Sequence, residues 1–315
     1  MNTTPTERVL LGTWPTPLEA APRLAAAVGL HPGDLWVKRD DLTGLGAGGN
    51  KIRKLEWTVA AALADGADTI ITTGAPQSNH ARLTAAAGAR LGLDVVLILP
   101  GGPPSTMGGN LLLDHLLGAR IVWTDGAPAA AAQDVARDLS GRGRRPAVIP
   151  FGGSNATGAQ GYRVAADEIT AQRPDVDVVV CAVGSGGTMA GLVAGLGVGR
   201  VFGVHTGAVD DPHTQVAGLL DDMGVAHRRG DLRIRTDQVG FGYDALTPAV
   251  ARALRTAART EGLVLDPVYT GRALAGLIAE TADGALRPGQ CVVFLASGGL
   301  PGLFGHTDNQ DLVSS

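Results

Sequence analysis

Cysteine is nearly absent, with only Cys181 and Cys291 in 315 residues. Two thiols so far apart make no disulfide framework and match no zinc-ligand spacing. Each lies in or beside an apolar run, DVVVCAV and QCVVFLA, and reads as a buried thiol in a reducing compartment. No apolar stretch approaches the roughly eighteen residues that a membrane span requires. The segment MNTTPTERVLLGTWPTP lacks a basic start followed by an apolar block, so no secretory signal is expected and the chain reads as soluble and cytoplasmic. A basic excess is missing too: 26 Lys and Arg stand against 30 Asp and Glu, a net charge of −4 with a pI near 6.0. That balance argues against nucleic acid and offers nothing to an anionic membrane surface. No cluster of His, Cys, Asp and Glu has metal-ligand spacing, so no metal is expected.

What is present is apolar residue and glycine. Hydrophobic residues make up 45%, ample for a core, and the length suggests about two domains. The 46 glycines are roughly twice the usual share of about 7%. They have no regular period, which excludes collagen, and they gather at the ends of apolar runs, where loops turn sharply or approach a ligand. From Leu35 onward short β-branched runs alternate with longer Ala- and Leu-rich stretches. Strands are expected at Leu35–Lys38, Asp68–Thr73, Asp94–Leu99, Arg120–Thr124, Ala147–Pro150, Val176–Ala182, Arg200–His205 and Gln290–Leu295. Helices are expected at Lys51–Ala64, Ser78–Leu91, Thr106–Leu117, Pro128–Ser140, Asn155–Gln172, Gly187–Leu196, Asp211–Met223, Thr247–Glu261 and Tyr269–Ala282. Apolar runs of about five residues between helices of about twelve mark parallel strands buried on both faces. The fold class is α/β, doubly wound. A turn at Phe151–Gly153 marks a break between units, and Thr307–Ser315 reads as a frayed polar end.

Three glycine-containing strand-to-helix turns carry chemistry. In GAGGNK, Gly46 to Lys51, a lysine opens a helix, where the positive end of the dipole disfavours an ammonium. Lys51 is then either a snorkelling surface lysine, like its neighbours Arg53 and Lys54, or an amine available for Schiff-base chemistry. In TTGAPQSNH, Thr72 to His80, Ser78 is either a helix N-cap or a ligand contact. Gln77 and Asn79 offer amide groups beyond the carboxyl ends of the strands, where open parallel sheets bind ligands. In AVGSGGTM, the backbone N–H groups of Gly184, Ser185, Gly186, Gly187 and Thr188 can converge on an anion. No lysine follows the last glycine, and Met189 stands where a dinucleotide fingerprint needs its third glycine, so a single phosphate is the simplest ligand. An NAD(P)-dependent oxidoreductase is the competing reading of this turn. A reactive lysine, a monophosphate cup and a polar Ser-Asn turn together suit pyridoxal 5′-phosphate.

The segments WVKRDDL, GGNKIRKLE and QSNHAR resemble the fold type II pyridoxal-phosphate enzymes, in the branch of 1-aminocyclopropane-1-carboxylate deaminase and D-cysteine desulfhydrase. IPFGGSNATGAQGY (Ile149–Tyr162), GSGGT, LDPVYTG (Leu265–Gly271) and SGGLPGL (Ser297–Leu303) agree in order and spacing, so the resemblance runs from about Trp14 to about Gly305. It implies two doubly wound domains with the cofactor in the cleft between them: residues 1–50 plus 163–315 as the large domain and 51–162 as the small one. It implies that Lys51 condenses with the cofactor aldehyde and Asn79 meets the ring oxygen. Residues 184–188 would hold the phosphate, with Asn50, Ser297 and Thr270 also at the cofactor. Ser78 would bind the substrate carboxylate or move a proton, and Tyr243 and Tyr269 would lie over the reacting carbons. In the mechanism expected from this, the carboxylate docks on the Ser78-Asn79-His80 turn with Gln77 as a further substrate contact. Lys51 is the first candidate to take the Cα proton and Ser78 the second. A homodimer is expected on the same ground.

Deaminases of the branch carry a glutamate after the tyrosine of DPVY and a leucine before the late Gly-Gly pair, whereas here those positions are Thr270 and Ser297. A neutral hydroxyl beside the pyridine nitrogen leaves a weaker electron sink than a glutamate does. That favours α,β-elimination from a β-substituted alanine, D-cysteine first, over ring opening. L-cysteate sulfo-lyase and the cyclopropane deaminase are the alternatives; a sulfonate would want an extra cation, for which Arg82 and His80 are the candidates. The chain departs from the family pattern at Gly242–Pro248, at Arg82-Leu83 and at Ala296, so leaving group and chirality stay open at this stage.

Overall fold

The computed structural model describes residues 7–105 and 107–313. Thr106, the expected start of one helix, lies outside them, as do residues 1–6 and 314–315. In chain order the elements are β1 (Leu18–Ala20), α1 (Pro22–Ala27), β2 (Leu35–Lys38), α2 (Lys51–Ala64), β3 (Thr69–Thr73), α3 (Asn79–Leu91) and β4 (Asp94–Pro100). Then follow α4 (Gly109–Leu116), β5 (Arg120–Thr124), α5 (Pro128–Gly141), β6 (Pro146–Val148), α6 (Ala156–Gln172), β7 (Val178–Val183) and α7 (Gly187–Leu196). The chain continues through β8 (Val201–His205), α8 (Pro212–Asp222), β9 (Arg233–Arg235), α9 (Pro248–Glu261), α10 (Thr270–Ala282), β10 (Val292–Leu295) and α11 (Leu300–Gly305).

The strands form two sheets. One has the order β1-β2-β10-β7-β8-β9, antiparallel only between β1 and β2; the other, β5-β4-β3-β6, is wholly parallel. The larger sheet draws its strands from either side of the segment that makes the smaller one. The valine run of β7 shows why its strands are apolar throughout. Val178 and Val180 pack with Leu254 and Leu274 on one face, while Val179, Cys181 and Val183 pack with Tyr162 and Met189 on the other. In the smaller sheet Leu97 and Ile98 divide between two cores in the same way. Side chains alternate with period two, so a strand covered by helices on both faces must be apolar at every position. The expected α/β, doubly wound class is borne out.

Five helices begin one residue later than expected, α10 at Thr270 among them, and in the other four the residue taken as the first turn is a side-chain cap. The side chains of Ser78, Asn155, Asp211 and Thr247 each accept a backbone N–H from three residues on. The expected helix 106–117 begins only at Gly109. Strands β1 and β9 went unread because they are three-residue edges, LEA and RIR, with no apolar run to announce them. The expected frayed end is a 3₁₀ turn at Asn309–Leu312 whose Asp311 and Leu312 carbonyls accept from Arg255.

A buried ionic cluster fixes α2 against both β2 and α6. Arg53 donates to both oxygens of Asp40 at 2.8 Å and to Glu168 at 2.9 Å, and Tyr162 and Thr16 also donate to Asp40. Lys38 pairs with Glu168 as well. Burial alone would raise the Asp40 carboxyl; Arg53 outweighs it and holds it below the usual carboxylate range. Removing one partner would strand a buried charge, at a cost of about 3–5 kcal/mol. The cluster thus sets the pose of the helix that opens with Lys51.

Candidate active site

Lys51 stands where the loop after β2 turns into α2. Gly48 has φ +69°, and a Cβ there would come within 2.0 Å of the Asp41 carbonyl, so only glycine lets the loop pass. The Lys51 ammonium donates to Asn50 Oδ1 at 3.0 Å and lies 5.7 Å from the Tyr269 ring centroid. Burial lowers its pKa to about 8, with Asp266 opposing the shift and Arg82 adding to it. Burial, not the helix dipole expected from the sequence, heads the causes of the shift.

Lys54 and Arg53 are not surface residues, contrary to the sequence reading: each is 1% exposed. Three residues on from Lys51, Lys54 falls on the same helix face. Its amine donates to Ser154 Oγ at 2.9 Å and to the Gly152 carbonyl at 3.3 Å, and it makes no ion pair among the described residues. Burial pushes its ammonium well below the usual lysine range, and Lys51 adds to this.

The glycine turn after β7 closes on the same amine. A Cβ on Gly187 would lie 2.6 Å from Ser154 Oγ and 3.1 Å from Lys54 Nζ, and one on Gly184 would lie 3.1 Å from the Tyr269 ring. Ser185 Oγ bonds Ser154 Oγ at 2.8 Å, and Asn50 donates to Thr188 at 3.1 Å. Lys51, Lys54, Asn79, Ser297 and this turn wall one narrow cleft. An uncompensated buried ammonium, serine hydroxyls and glycine N–H groups at a helix start form a donor set for one phosphate.

Across the cleft, Asn79 has its orientation set. Its Oδ1 accepts from Asn110 at 2.9 Å and from Arg82 at 3.3 Å, leaving its NH₂ to donate into the cleft. Ser78 caps α3 by accepting from Ala81 N–H at 3.2 Å and lines neither this cleft nor the cavity beside it. His80 shares a hydrogen bond with Thr72 at 2.9 Å and is held neutral, first by burial and then by Lys51 and Lys54. Arg82 is fully buried and its donors go to Gly46, Gly48, Asn110 and Asn79. Gln77 ties α4 in place through Gly108 and Asn110.

A second cavity of about 200 Å³ shares Asn79 and Tyr269 with the cleft and takes its wall from Gln77, Tyr243, Asp266 and His306. The Tyr243 and Tyr269 hydroxyls bond each other, with ring centroids 6.1 Å apart at 76°. Burial raises Tyr269 to about 12. Arg272 holds the Tyr243 loop by donating to the Gly242 and Ala245 carbonyls at 2.9 and 2.8 Å. Ser297 faces the cleft, whereas Thr270 lies behind its wall, its hydroxyl committed to Asp266 at 2.6 Å. Asp266 also accepts the N–H groups of Val268, Tyr269 and Thr270, so it caps α10.

Fold and site together define an α/β enzyme that holds a phosphorylated cofactor beside a desolvated amine. The pyridoxal-phosphate dependent enzyme family matches residues 9–298, and the chain belongs to that family. It is 41% identical over 315 residues to a putative 1-aminocyclopropane-1-carboxylate deaminase of Pyrococcus abyssi, covering 94% of this chain and 93% of that protein. It is equally identical, over 93% of this chain and 94% of the other, to a D-cysteine desulfhydrase of Salmonella typhi. A crystal structure of an ACC deaminase homologue superposes with a TM-score of 0.88 at 38% identity, over 98% of this chain and 96% of that one. Threonine deaminase isoform 2 from Solanum lycopersicum, at 19% identity and a TM-score of 0.67 over 95% and 82% of the two chains, shares the fold. The cofactor is pyridoxal 5′-phosphate, and the oxidoreductase reading falls.

Sequence reasoning missed Lys54, Ser154, Asn110, Asp266 and His306. The i,i+3 spacing from Lys51 was a usable signal for Lys54, and Ser154 directly follows the turn marked at 151–153. Nothing in the sequence pointed to His306.

Proposed function

We propose that this protein is a pyridoxal-phosphate lyase that removes the β-substituent of an alanine derivative, D-cysteine first, giving pyruvate, ammonia and hydrogen sulfide. The observation that carries the reading is the pair of buried lysines on one helix turn: Lys51 turned toward the Tyr269 ring, and Lys54 tied to the glycine turn without a counter-ion. When bound, pyridoxal phosphate supplies an aldehyde for an amine and a ring that accepts the electron pair released at Cα. Lys51 is the attachment residue and then the base that takes the Cα proton, its low pKa suiting both tasks near neutral pH. Lys54, Ser185 and the N–H groups of residues 184–188 hold the phosphate, with Thr188 and Asn50 closing that end. Asn79 donates to the ring oxygen, and Ser297 meets the ring from the opposite wall. The substrate carboxylate is received at the start of α3, where the N–H groups of Asn79 and His80 have no carbonyl one turn back. Tyr243 and Tyr269 close the cavity over the reacting carbons. Ser78, spent on its cap, is the weaker candidate base.

Thiolate is favoured over sulfonate because neither candidate cation is available: His80 is neutral, and Arg82 is spent on carbonyls and amides. With Ser297 facing the cleft and Thr270, where the deaminases of the branch carry a glutamate, turned away to Asp266, no acid from these two positions meets the ring and elimination is favoured over ring opening. We read 51–162 as the small domain and 1–50 with 163–315 as the large one, in keeping with the two sheets. A homodimer is supported by apolar Leu112, Leu116 and Phe304, exposed on the packed helices α4 and α11. A cytoplasmic location is supported by two buried, unpaired cysteines. Pyruvate release by the cofactor-loaded protein from D-cysteine, L-cysteine, L-cysteate, 3-chloro-D-alanine and 1-aminocyclopropane-1-carboxylate tests the assignment. D-cysteine should give the highest kcat/KM; a higher value for L-cysteate, or 2-oxobutyrate formed from the cyclopropane at a higher rate, would replace it.

A further inference from the structure

An asparagine side chain has an oxygen at one edge and an NH₂ of the same shape at the other, so the bonds behind it decide which edge faces a ligand. Asn79 lines the cleft that holds Lys51 and Ser297. Its NH₂ bonds no described residue and is not among the occluded polar atoms, so it is open to the cleft. Behind it stands Asn110, fully buried in the first turn of α4 and bonded at both edges of its side chain. Its Oδ1 accepts from Arg82 Nε at 2.8 Å. Its Nδ2 donates to the Gln77 carbonyl at 2.8 Å and to Asn79 Oδ1 at 2.9 Å, and its backbone N–H donates to Gln77 Oε1 at 2.8 Å.

Two of those partners leave the Asn110 amide one orientation. A guanidinium has only N–H donors and must face the amide oxygen; a carbonyl only accepts and must face the amide nitrogen. Arg82 is itself fixed, its remaining donors going to the Gly46 and Gly48 carbonyls and to Asn79 Oδ1. Helix α4 reaches this point because Gly109 has φ +57° and a Cβ there would lie 2.4 Å from Gln77 Oε1. The polarity is passed on: Asn110 gives a donor to the Asn79 oxygen, and Asn79 offers the cleft its NH₂. Resting on the reading that Asn79 meets the ring oxygen of the cofactor, we propose that Asn110 is a positioning residue. It holds Asn79 as a donor and so makes the site favour a ring that carries a hydroxyl.

Asn110→Asp is nearly isosteric and replaces the donor to Asn79 by an acceptor, so Asn79 turns its NH₂ to the new carboxylate and its oxygen to the cleft. Equilibrium dialysis of wild type, Asn110→Asp, Asn79→Ala and the double variant against pyridoxal phosphate and 3-deoxypyridoxal phosphate, which lacks the ring hydroxyl, tests this. Asn110→Asp should raise the Kd of pyridoxal phosphate about tenfold to hundredfold. The Kd of the deoxy analogue should rise less than about threefold, whereas a merely structural loss weakens both alike. Asn79→Ala should shift the ratio of the two constants in the same direction, and the double variant no further than Asn79→Ala alone. An Asn110→Asp ratio equal to that of wild type, with Asn79→Ala shifted, overturns the role of Asn110 and leaves the contact of Asn79 with the ring oxygen intact. An Asn79→Ala ratio equal to that of wild type overturns both. If Asn110→Asp binds neither ligand, Asn110→Ala decides: a ratio shifted by about threefold or more supports the role, and a smaller shift contradicts it.

Discussion

The two halves of the site are assembled in opposite ways. On the cofactor side, Lys51 and Lys54 share one helix turn, and residues 184–188 are a single continuous bend. On the substrate side, the wall converges from residues 75–79, 243–244, 266–269 and 302–307. The first half is polar and rests on backbone N–H groups and charge. The second sets its polar groups against one another. Each phosphate- and amine-binding piece is compact in sequence, although the fold must bring residues 50–54, 79, 184–188 and 297 together, whereas the wall that would select a leaving group has no such compact piece.

Substitutions on the two sides should therefore separate cofactor affinity from turnover. Lys51→Ala should have the largest effect, abolishing covalent attachment of the cofactor and lowering kcat/KM about 10³-fold or more, measured by absorption and pyruvate release. Lys54→Met should raise the Kd for pyridoxal phosphate about tenfold to hundredfold through loss of a charge-assisted bond, while kcat at saturating cofactor changes little. Equilibrium dialysis checks the first part, and an unchanged Kd would detach Lys54 from the phosphate.

Stability against pH probes the same helix turn. The Lys51 pKa of about 8 in the fold lies below its ordinary 10.5, so the unfolded chain holds the extra proton between those values. The burial penalty is fully present below pH 8 and fades as the pH rises to 10.5. Cofactor-free Lys51→Met should then be more stable than wild type at pH 7, by about 1–3 kcal/mol, with the gap closing above pH 10. Urea denaturation at the two pH values reads this out. Smallest is the expected effect of Tyr243→Phe, about tenfold in kcat/KM from loss of the hydroxyl pair, with cofactor Kd unchanged. A fall in cofactor affinity there would erase the division between the halves.

The same division governs what could be read in advance. The helix Lys51–Ala64 and the strand–bend–helix at 178–196 were legible because apolar periodicity, glycine and a lysine coincide within a few residues. Ser78 was legible as a cap or a contact, and only coordinates show its Oγ on the Ala81 N–H. Arg82 looked like a spare cation in sequence; its burial against the Gly46 and Gly48 carbonyls is a tertiary fact. Lys54 looked exposed because helical periodicity does not reveal that the 151–154 turn and Gly187 cover that face. His306 carried no local pattern, since it shares the cavity wall with Gln77 and Tyr243, hundreds and tens of residues away.

Borohydride reduction of the cofactor-loaded protein, followed by proteolysis and mass spectrometry, identifies the amine that carries the cofactor. The phosphopyridoxyl mass should fall on the peptide carrying Lys51, at that residue and not at Lys54. Label at Lys54, or none at either lysine under saturating cofactor, would contradict attachment through Lys51.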